Sequence, residues 1–155
     1  MISIITISLN SEKTIERTMR SVLGQSFRDI EYIIVDGNST DNTHNIIDEL
    51  LYENENNAQP LKIKVHKSRD NGISDAFNKG LLHSNGNFLI YLNSDDYFIS
   101  TTIIEECNKL LINDEEIYCG NIKILENNKT VNSRLRKFGF EHEIMHPSTF
   151  IGKKV

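Results

Sequence analysis

Short runs of β-branched residues alternate along this chain with apolar residues at helical spacing. Residues 2–9, ISIITISL, form a run too short for a helix and rich in Ile, so it predicts a buried strand. Asn10 and Ser11 follow as candidate helix caps. Ile15, Met19, Val22 and Leu23 then recur on one helical face, with Gly24 placed to stop the helix. Residues 31–35, EYIIV, predict a second strand, and the turn Asp36-Gly37-Asn38-Ser39-Thr40-Asp41 leads to a helix striped by Ile46, Ile47, Leu50 and Leu51. A polar loop over 52–60 precedes LKIKVH at 61–66, whose alternation of apolar and basic positions suits an edge strand. Ile73, Ala76, Phe77, Gly80 and Leu81 mark a third helix, ending near Asn85-Gly86. Residues 88–92, FLIYL, predict a fourth strand that runs straight into Asn93-Ser94-Asp95-Asp96. Ser100 is placed to cap a helix carrying Ile103, Ile104, Cys107, Leu110 and Leu111. The spacing then predicts a strand over 116–125, a turn at Asn127-Asn128 and a strand over 130–135.

Strands alternating with helices imply an α/β fold with a doubly wound, mostly parallel sheet and helices on both faces. In such sheets ligands bind at the carboxyl ends of the strands. Three polar clusters follow three of the predicted strands: Ser8 and Asn10, residues 36–41, and residues 93–96. The fold would bring them to one edge.

Bulk properties narrow the field. A length of 155 residues fits one domain with a core large enough to need no disulfide. A 38% hydrophobic share argues against disorder, and a net charge of −5 argues against a duplex nucleic acid partner. Cys107 and Cys119 lack the spacing of a zinc site or a disulfide framework and read as core residues of a protein in a reducing cytoplasm. Neither a basic leader nor an apolar run of the roughly 18 residues a membrane span requires is present.

Asp95 and Asp96 are adjacent carboxylates, whose repulsion a cation or solvent must offset. A divalent metal bridging to a diphosphate would do so, because Mg²⁺ and Mn²⁺ take oxygen ligands from a few carboxylates plus phosphates. The plainer alternative is a solvated turn with an Asp cap, and the neighbouring clusters favour the metal. Asp36 reads either as a turn residue or as an acceptor for a base or ribose. In RDNGISDAFNKG (69–80), Asp75 and Lys79 share a helix face four residues apart, which a surface ion pair would explain.

Taken together, the segments ISIITISLN, SVLGQSFRDIEYIIVDGNSTDNT, DNGISDAFNKGLLHSNGNFLIYLNSDD and HPSTF resemble the family 2 glycosyltransferases of the bacterial cell-surface polysaccharide branch. The resemblance implies a three-layer, Rossmann-like GT-A domain that binds a nucleotide sugar. It also implies metal-dependent, inverting transfer from a nucleotide diphosphate donor to a glycan or lipid-linked hydroxyl. Donor contacts carry over to Ser8, Asn10 and Glu12, to Asp36, to Arg69, Asp75, Asn78 and Lys79, and to Ser94 and Asp95. Mn²⁺ or Mg²⁺ would be held by Asp95 and Asp96, with His146 as a further candidate or a loop cap before Pro147. The implied place is the cytoplasm, at the inner face of the membrane through peripheral association.

Gly37 stands where many members carry a second Asp, which weakens an assignment of uracil as the donor base. Asn93 replaces the first acidic position of the metal motif. Members continue beyond HPSTF, so residues 1–100 read as the donor-binding half and 101–155 as the start of an acceptor half. The general base is expected after Val155, not at Glu141, His142 or Glu143. Donor binding is therefore expected to exceed transfer, and Phe138, Phe140 and Phe150 are expected to leave apolar surface for self-association. Two alternatives stand beside this reading: a nucleotide-sugar-binding fragment without catalysis, and a sugar-1-phosphate nucleotidyltransferase. The second fits less well, because residues 8–14 contain no Gly for a phosphate loop.

Overall fold

The computed structural model describes residues 1–119, 122–124, 129–131, 136–137 and 149–154. Four strands form the parallel part of the sheet: β1 (Ile2–Ser8), β2 (Ile30–Asp36), β3 (Lys62–Lys67) and β4 (Phe88–Tyr91). Helices α1 (Ile15–Leu23), α2 (Thr43–Glu55), α3 (Ile73–His83) and α4 (Ile103–Asn108) alternate with or follow them. Three further strands, β5 (Ile117–Cys119), β8 (Arg136–Lys137) and β9 (Thr149–Gly152), complete a seven-stranded sheet in the order β3-β2-β1-β4-β9-β5-β8. β9 is antiparallel to both neighbours and β8 to β5, so five of the seven strands point one way. A separate antiparallel pair joins β6 (Ile122–Ile124) to β7 (Lys129–Val131).

Strand alternation sorts side chains to the two faces. Ile2 and Ile4 of β1, Tyr32 and Ile34 of β2, and Ile90 of β4 meet Ile15, Met19 and Val22 of α1, Ile47 and Leu50 of α2, and Ile104 of α4. Ile5, Ile33, Val35 and Leu89 face the other way, onto Ala76 of α3. The result is the expected three-layer arrangement. α3 lies close on the sheet: a Cβ on Gly80 would sit 2.3 Å from Ile5 Cγ2.

The edge position of β3 agrees with its alternating sequence. Lys64 turns inward to form a 2.6 Å ion pair with the buried Glu31, which also accepts hydrogen bonds from Ser3, Asn85 N–H and Asn85 Nδ2.

Several local expectations change. Thr14, not Asn10 or Ser11, occupies the cap position of α1, because Asn10 and Ser11 bond to neighbouring loops instead. Thr102 occupies the cap position of α4 without a side-chain cap bond, and Ser100 Oγ accepts the Thr102 N–H at 3.2 Å just before it. The strand expected over 116–125 is two strands in two sheets, since Ile117–Cys119 pairs with β9 and Ile122–Ile124 with β7. β9 itself was not expected: antiparallel partners on both sides hold it between β4 and β5. Phe150 on β9 is therefore 3% exposed, and is not the open apolar surface expected of it. Phe138 and Phe140 lie outside the described residues.

Candidate active site at the carboxyl edge of the sheet

The parallel register sets Ser8 beside Asp36 at the ends of β1 and β2. Ser8 Oγ donates to Asp36 Oδ2 at 2.7 Å, and Ser39 Oγ donates to the same oxygen at 2.6 Å. Asp36 Oδ1 takes the Ser39 N–H at 2.7 Å and contacts His44 Nε2 at 2.7 Å. The carboxylate is fully buried. Burial pushes its pKa up, but the hydrogen bonds from Ser39, Ser8 and His44 outweigh this and hold it below the ordinary value. Asp36 thus organises the turn after β2 from beneath.

Above it, the loops after β1 and β2 are laced together. Asn10 adopts a left-handed backbone (φ 51°), which an Asn tolerates better than most residues. Its Oδ1 accepts the Thr40 N–H at 2.9 Å, while its own N–H donates to Ser39 Oγ at 2.8 Å. The Ser11 N–H donates to Thr43 Oγ1. The Glu12 N–H donates to Asp41 Oδ2, and the Asn42 N–H donates to Glu12 Oε2, both at 3.0 Å.

The loop after β4 joins this assembly through a 2.8 Å bond between the Ser11 and Ser94 hydroxyls. Thr18 Oγ1 lies 2.9 Å from Ser94 O and 2.7 Å from Asp96 O, fixing the turn against α1. Arg17 donates to Asp95 O and stacks its guanidinium 4.4 Å from the Tyr97 ring centroid. An open cleft of about 590 Å³ results, lined by Asn10, Ser11, Glu12, Lys13, Thr14, Asp41, Ser94 and Asp95. Asp95 is exposed on its wall, whereas Asp96 is half-buried and accepts a 3.2 Å bond from Asn93 Nδ2. Burial and the neighbouring Asp95 both raise the Asp96 pKa.

Of the sequence-predicted donor residues, Asn10, Glu12, Ser94 and Asp95 share this cleft, and Ser8 and Asp36 lie in the turn that supports it. Arg69, Asp75, Asn78 and Lys79 belong to the β3–α3 segment and do not line it. There Asp75 accepts the Asn71 N–H at 2.9 Å and pairs with Lys79 at 3.1 Å, while Lys79 also donates to Arg69 O. The hydrogen bond from Asn71, then the one from Lys79, lowers the Asp75 pKa. The i,i+4 pair is thus formed as its spacing suggested. The Arg69 and Asn78 side chains are exposed. His146 lies outside the described residues. Sequence reasoning passed over Lys13 and took Asp41 only as part of the 36–41 turn and cluster, where it does act at the start of α2 by accepting the Thr43 N–H.

The donor set suits a hard divalent cation. Among the described residues no group of three His, Cys, Asp or Glu side chains is placed to hold a metal. One or two carboxylates at an open cleft fit Mg²⁺ or Mn²⁺ that takes its other oxygens from phosphates and water.

The profile of glycosyl transferase family 2 matches residues 3–154. The chain belongs to this family. It is 30% identical over 131 residues to the Escherichia coli UDP-Glc:alpha-D-GlcNAc-diphosphoundecaprenol beta-1,3-glucosyltransferase WfgD, covering 84% of this chain and 49% of that protein. This family 2 chain thus spans about half the length of that relative. Its fold is shared with S. aureus TarS, solved in complex with UDP-GlcNAc, at a TM-score of 0.76 and 22% identity over 98% of this chain and 45% of that one. A mannosyltransferase of Pyrobaculum calidifontis, solved with GDP-Man and Mn²⁺, superposes at a TM-score of 0.70 and 20% identity, over 79% of this chain and 35% of that one. The GT-A fold expected of a family 2 chain is therefore present.

Proposed function

We propose that this chain binds the nucleotide-sugar donor of a metal-dependent, inverting glycosyltransferase whose acceptor is a hydroxyl of a surface glycan or a lipid-linked glycan. One observation carries the reading. Asp95 stands exposed on the wall of a cleft where the loops after β1, β2 and β4 meet, and the sheet order reverses between β1 and β4. Asp95 and Asp96 would hold the cation. When bound, the cation offsets the negative charge that gathers on the departing diphosphate. Lys13 adds a positive charge to the same wall. The Ser94–Ser11 and Thr18 bonds hold the Asp95 backbone in place beforehand, so little reorganisation accompanies reaction.

In the proposed reaction the acceptor oxygen attacks the anomeric carbon from the face opposite the diphosphate. A new C–O bond forms there, the bond to the phosphate oxygen breaks, and the configuration inverts. A general base takes the hydroxyl proton as the bond forms. No described residue is assigned that role.

The name of WfgD specifies a UDP-glucose donor and a diphosphoundecaprenol acceptor for that enzyme. A similar acceptor would bring this chain to the inner face of the membrane from the cytoplasm. Among the described residues no helix is long and apolar enough to cross a membrane, and the association proposed is peripheral. Family membership sets aside the nucleotidyltransferase alternative.

Isothermal titration with a panel of nucleoside diphosphates and Mn²⁺ tests the proposal. Binding is expected with Mn²⁺, and is expected to vanish in EDTA and in the D95A/D96A double variant. Unchanged affinity in either condition would make the carboxylate pair structural. A transfer assay alongside distinguishes an enzyme from a domain that only binds.

A further inference from the structure

Helix α1 buries polar side chains as well as apolar ones, and the polar ones form a line. Thr18 and Gln25 are almost wholly buried. With Ser21 between them they recur at spacings of three and four, which keeps them on one face of the helical path. Gln25 lies just past Gly24, the C-cap of α1.

Each of them binds the main chain of the segment that follows β4, and the order along the two segments is the same. Thr18 Oγ1 shares its proton between Ser94 O and Asp96 O. Ser21 Oγ accepts the Phe98 N–H at 3.1 Å. Gln25 Nε2 donates to Ser100 O at 2.7 Å, and its Oε1 accepts the Ile104 N–H at 3.2 Å. The Ser26 N–H closes the line on Thr101 O at 2.7 Å. The segment therefore runs alongside α1, over about 10 Å of helix at 1.5 Å per residue. The anchors are also tied to one another: Ser21 Oγ donates to Thr18 O at 2.7 Å, and Gln25 Nε2 to Ser21 O at 3.0 Å.

These bonds go to main-chain atoms and not to the carboxylates. They hold the backbone from which Asp95 and Asp96 project. Among the described residues no group of three His, Cys, Asp or Glu side chains is placed to hold a metal. A cation bound by so few protein oxygens depends on their being placed in advance, because adjacent carboxylates repel and would otherwise swing apart. We propose that Thr18 is a positioning residue for the cation of the donor site, and that Ser21 and Gln25 support it along the same line. The proposal rests on the glycosyltransferase reading above, in which Asp95 and Asp96 hold that cation. The effect of each residue on binding then falls with its distance from Asp95. Thr18 brackets that residue, Ser21 acts at Phe98, and Gln25 acts at the far end of the segment.

Isothermal titration of UDP and of GDP into the 155-residue chain in Mn²⁺, well below the melting temperature, tests the proposal. Thr18→Val keeps the shape of the side chain and removes the donor shared by Ser94 O and Asp96 O. It is expected to weaken nucleotide binding about tenfold, the lower end for losing a group that orients metal ligands. T18S keeps the hydroxyl and should bind as the unmodified chain does. S21A and Q25A should weaken binding progressively less, although Q25A, which removes three hydrogen bonds, should lower the melting temperature at least as much as T18V. Circular dichroism confirms that each variant is folded; T18A removes the same donor if T18V does not fold, and S21A carries the comparison if Q25A does not. A folded T18V or T18A chain with unchanged affinity overturns the proposal. So does a Q25A or S21A chain that binds as weakly as T18V, since the loss would then not follow distance from Asp95. An unmodified chain that binds neither nucleotide in Mn²⁺ overturns the glycosyltransferase reading itself.

Discussion

Glu31 and Asp36 lie near opposite ends of β2, and both are fully buried. Asp36 is held as the carboxylate by contacts with Ser39, Ser8 and His44 and shapes the turn; Glu31 carries an ion pair with Lys64 and serves the fold. Burial pushes the Glu31 pKa up, yet Lys64, Asn85 and Ser3 together bring it down to about 2. A carboxylate depressed in the folded state contributes stability that is complete above its unfolded pKa and lost as pH falls through the folded one. The window here runs from about pH 4.5 down to about 2. Over it the contribution of Glu31 is on the order of 3 kcal/mol. Urea unfolding at pH 5 and at pH 2.5 should show this loss, and Glu31→Gln should be less stable at pH 5 and flatter between the two. An E31Q chain with the unmodified pH profile would place the acid sensitivity elsewhere. The acidic residues themselves were legible in the sequence. Their partners were not, because Ser8 and Asp36 are 28 positions apart and Ser11 and Ser94 are 83 apart.

At the scale of elements, Gly80 shows tertiary contact overriding local preference. A glycine inside a helix costs about 1 kcal/mol relative to alanine, so Gly80→Ala taken alone should strengthen α3. The added Cβ would instead meet the branched Ile5 side chain at 2.3 Å, in the middle of the sheet. Ile5 is fully buried, so moving it aside would displace its core neighbours. Overpacking typically costs about 1–3 kcal/mol, so G80A should lower stability in denaturant titration. A more stable variant would show that α3 can shift away from β1. The helices were legible from their stripes, and the parallel strands from short β-branched runs too short for a helix. The 116–125 region was read as one strand although Gly120-Asn121 interrupts its apolar residues, and pairing with β9 and β7 puts its two halves in two sheets.

Across the whole molecule, β9 binds the last part of the chain to the first. It lies between β4 and β5 and buries Phe150 in the same core as Ile2, Ile4 and Ile90. Residues from both ends of the sequence therefore share one apolar cluster. Phe150→Ala should cost about 3–5 kcal/mol, the usual range for emptying a buried aromatic site. The loss should appear as a lower melting temperature of one cooperative transition that includes the parallel strands. Two separate transitions, with β1 unaffected, would show the β9 region to unfold by itself.

The alternation of short Ile-rich runs with helical stripes determined the layered α/β architecture, because a strand buried on both faces is a short, continuous β-branched run while a helix buries one stripe of period 3.6. Acidic turns after β2 and β4 marked the sheet edge where the candidate site lies. Tertiary structure alone decided what each acid does there. Asp36 and Asp41 are taken up in holding loops, Asp95 is left on the cleft wall, and Asp70 reaches Gly37 from a segment more than thirty residues away. A carboxylate's role depends on which donors have already claimed its oxygens. Those donors come from strands brought together by sheet order and register, which no local pattern encodes.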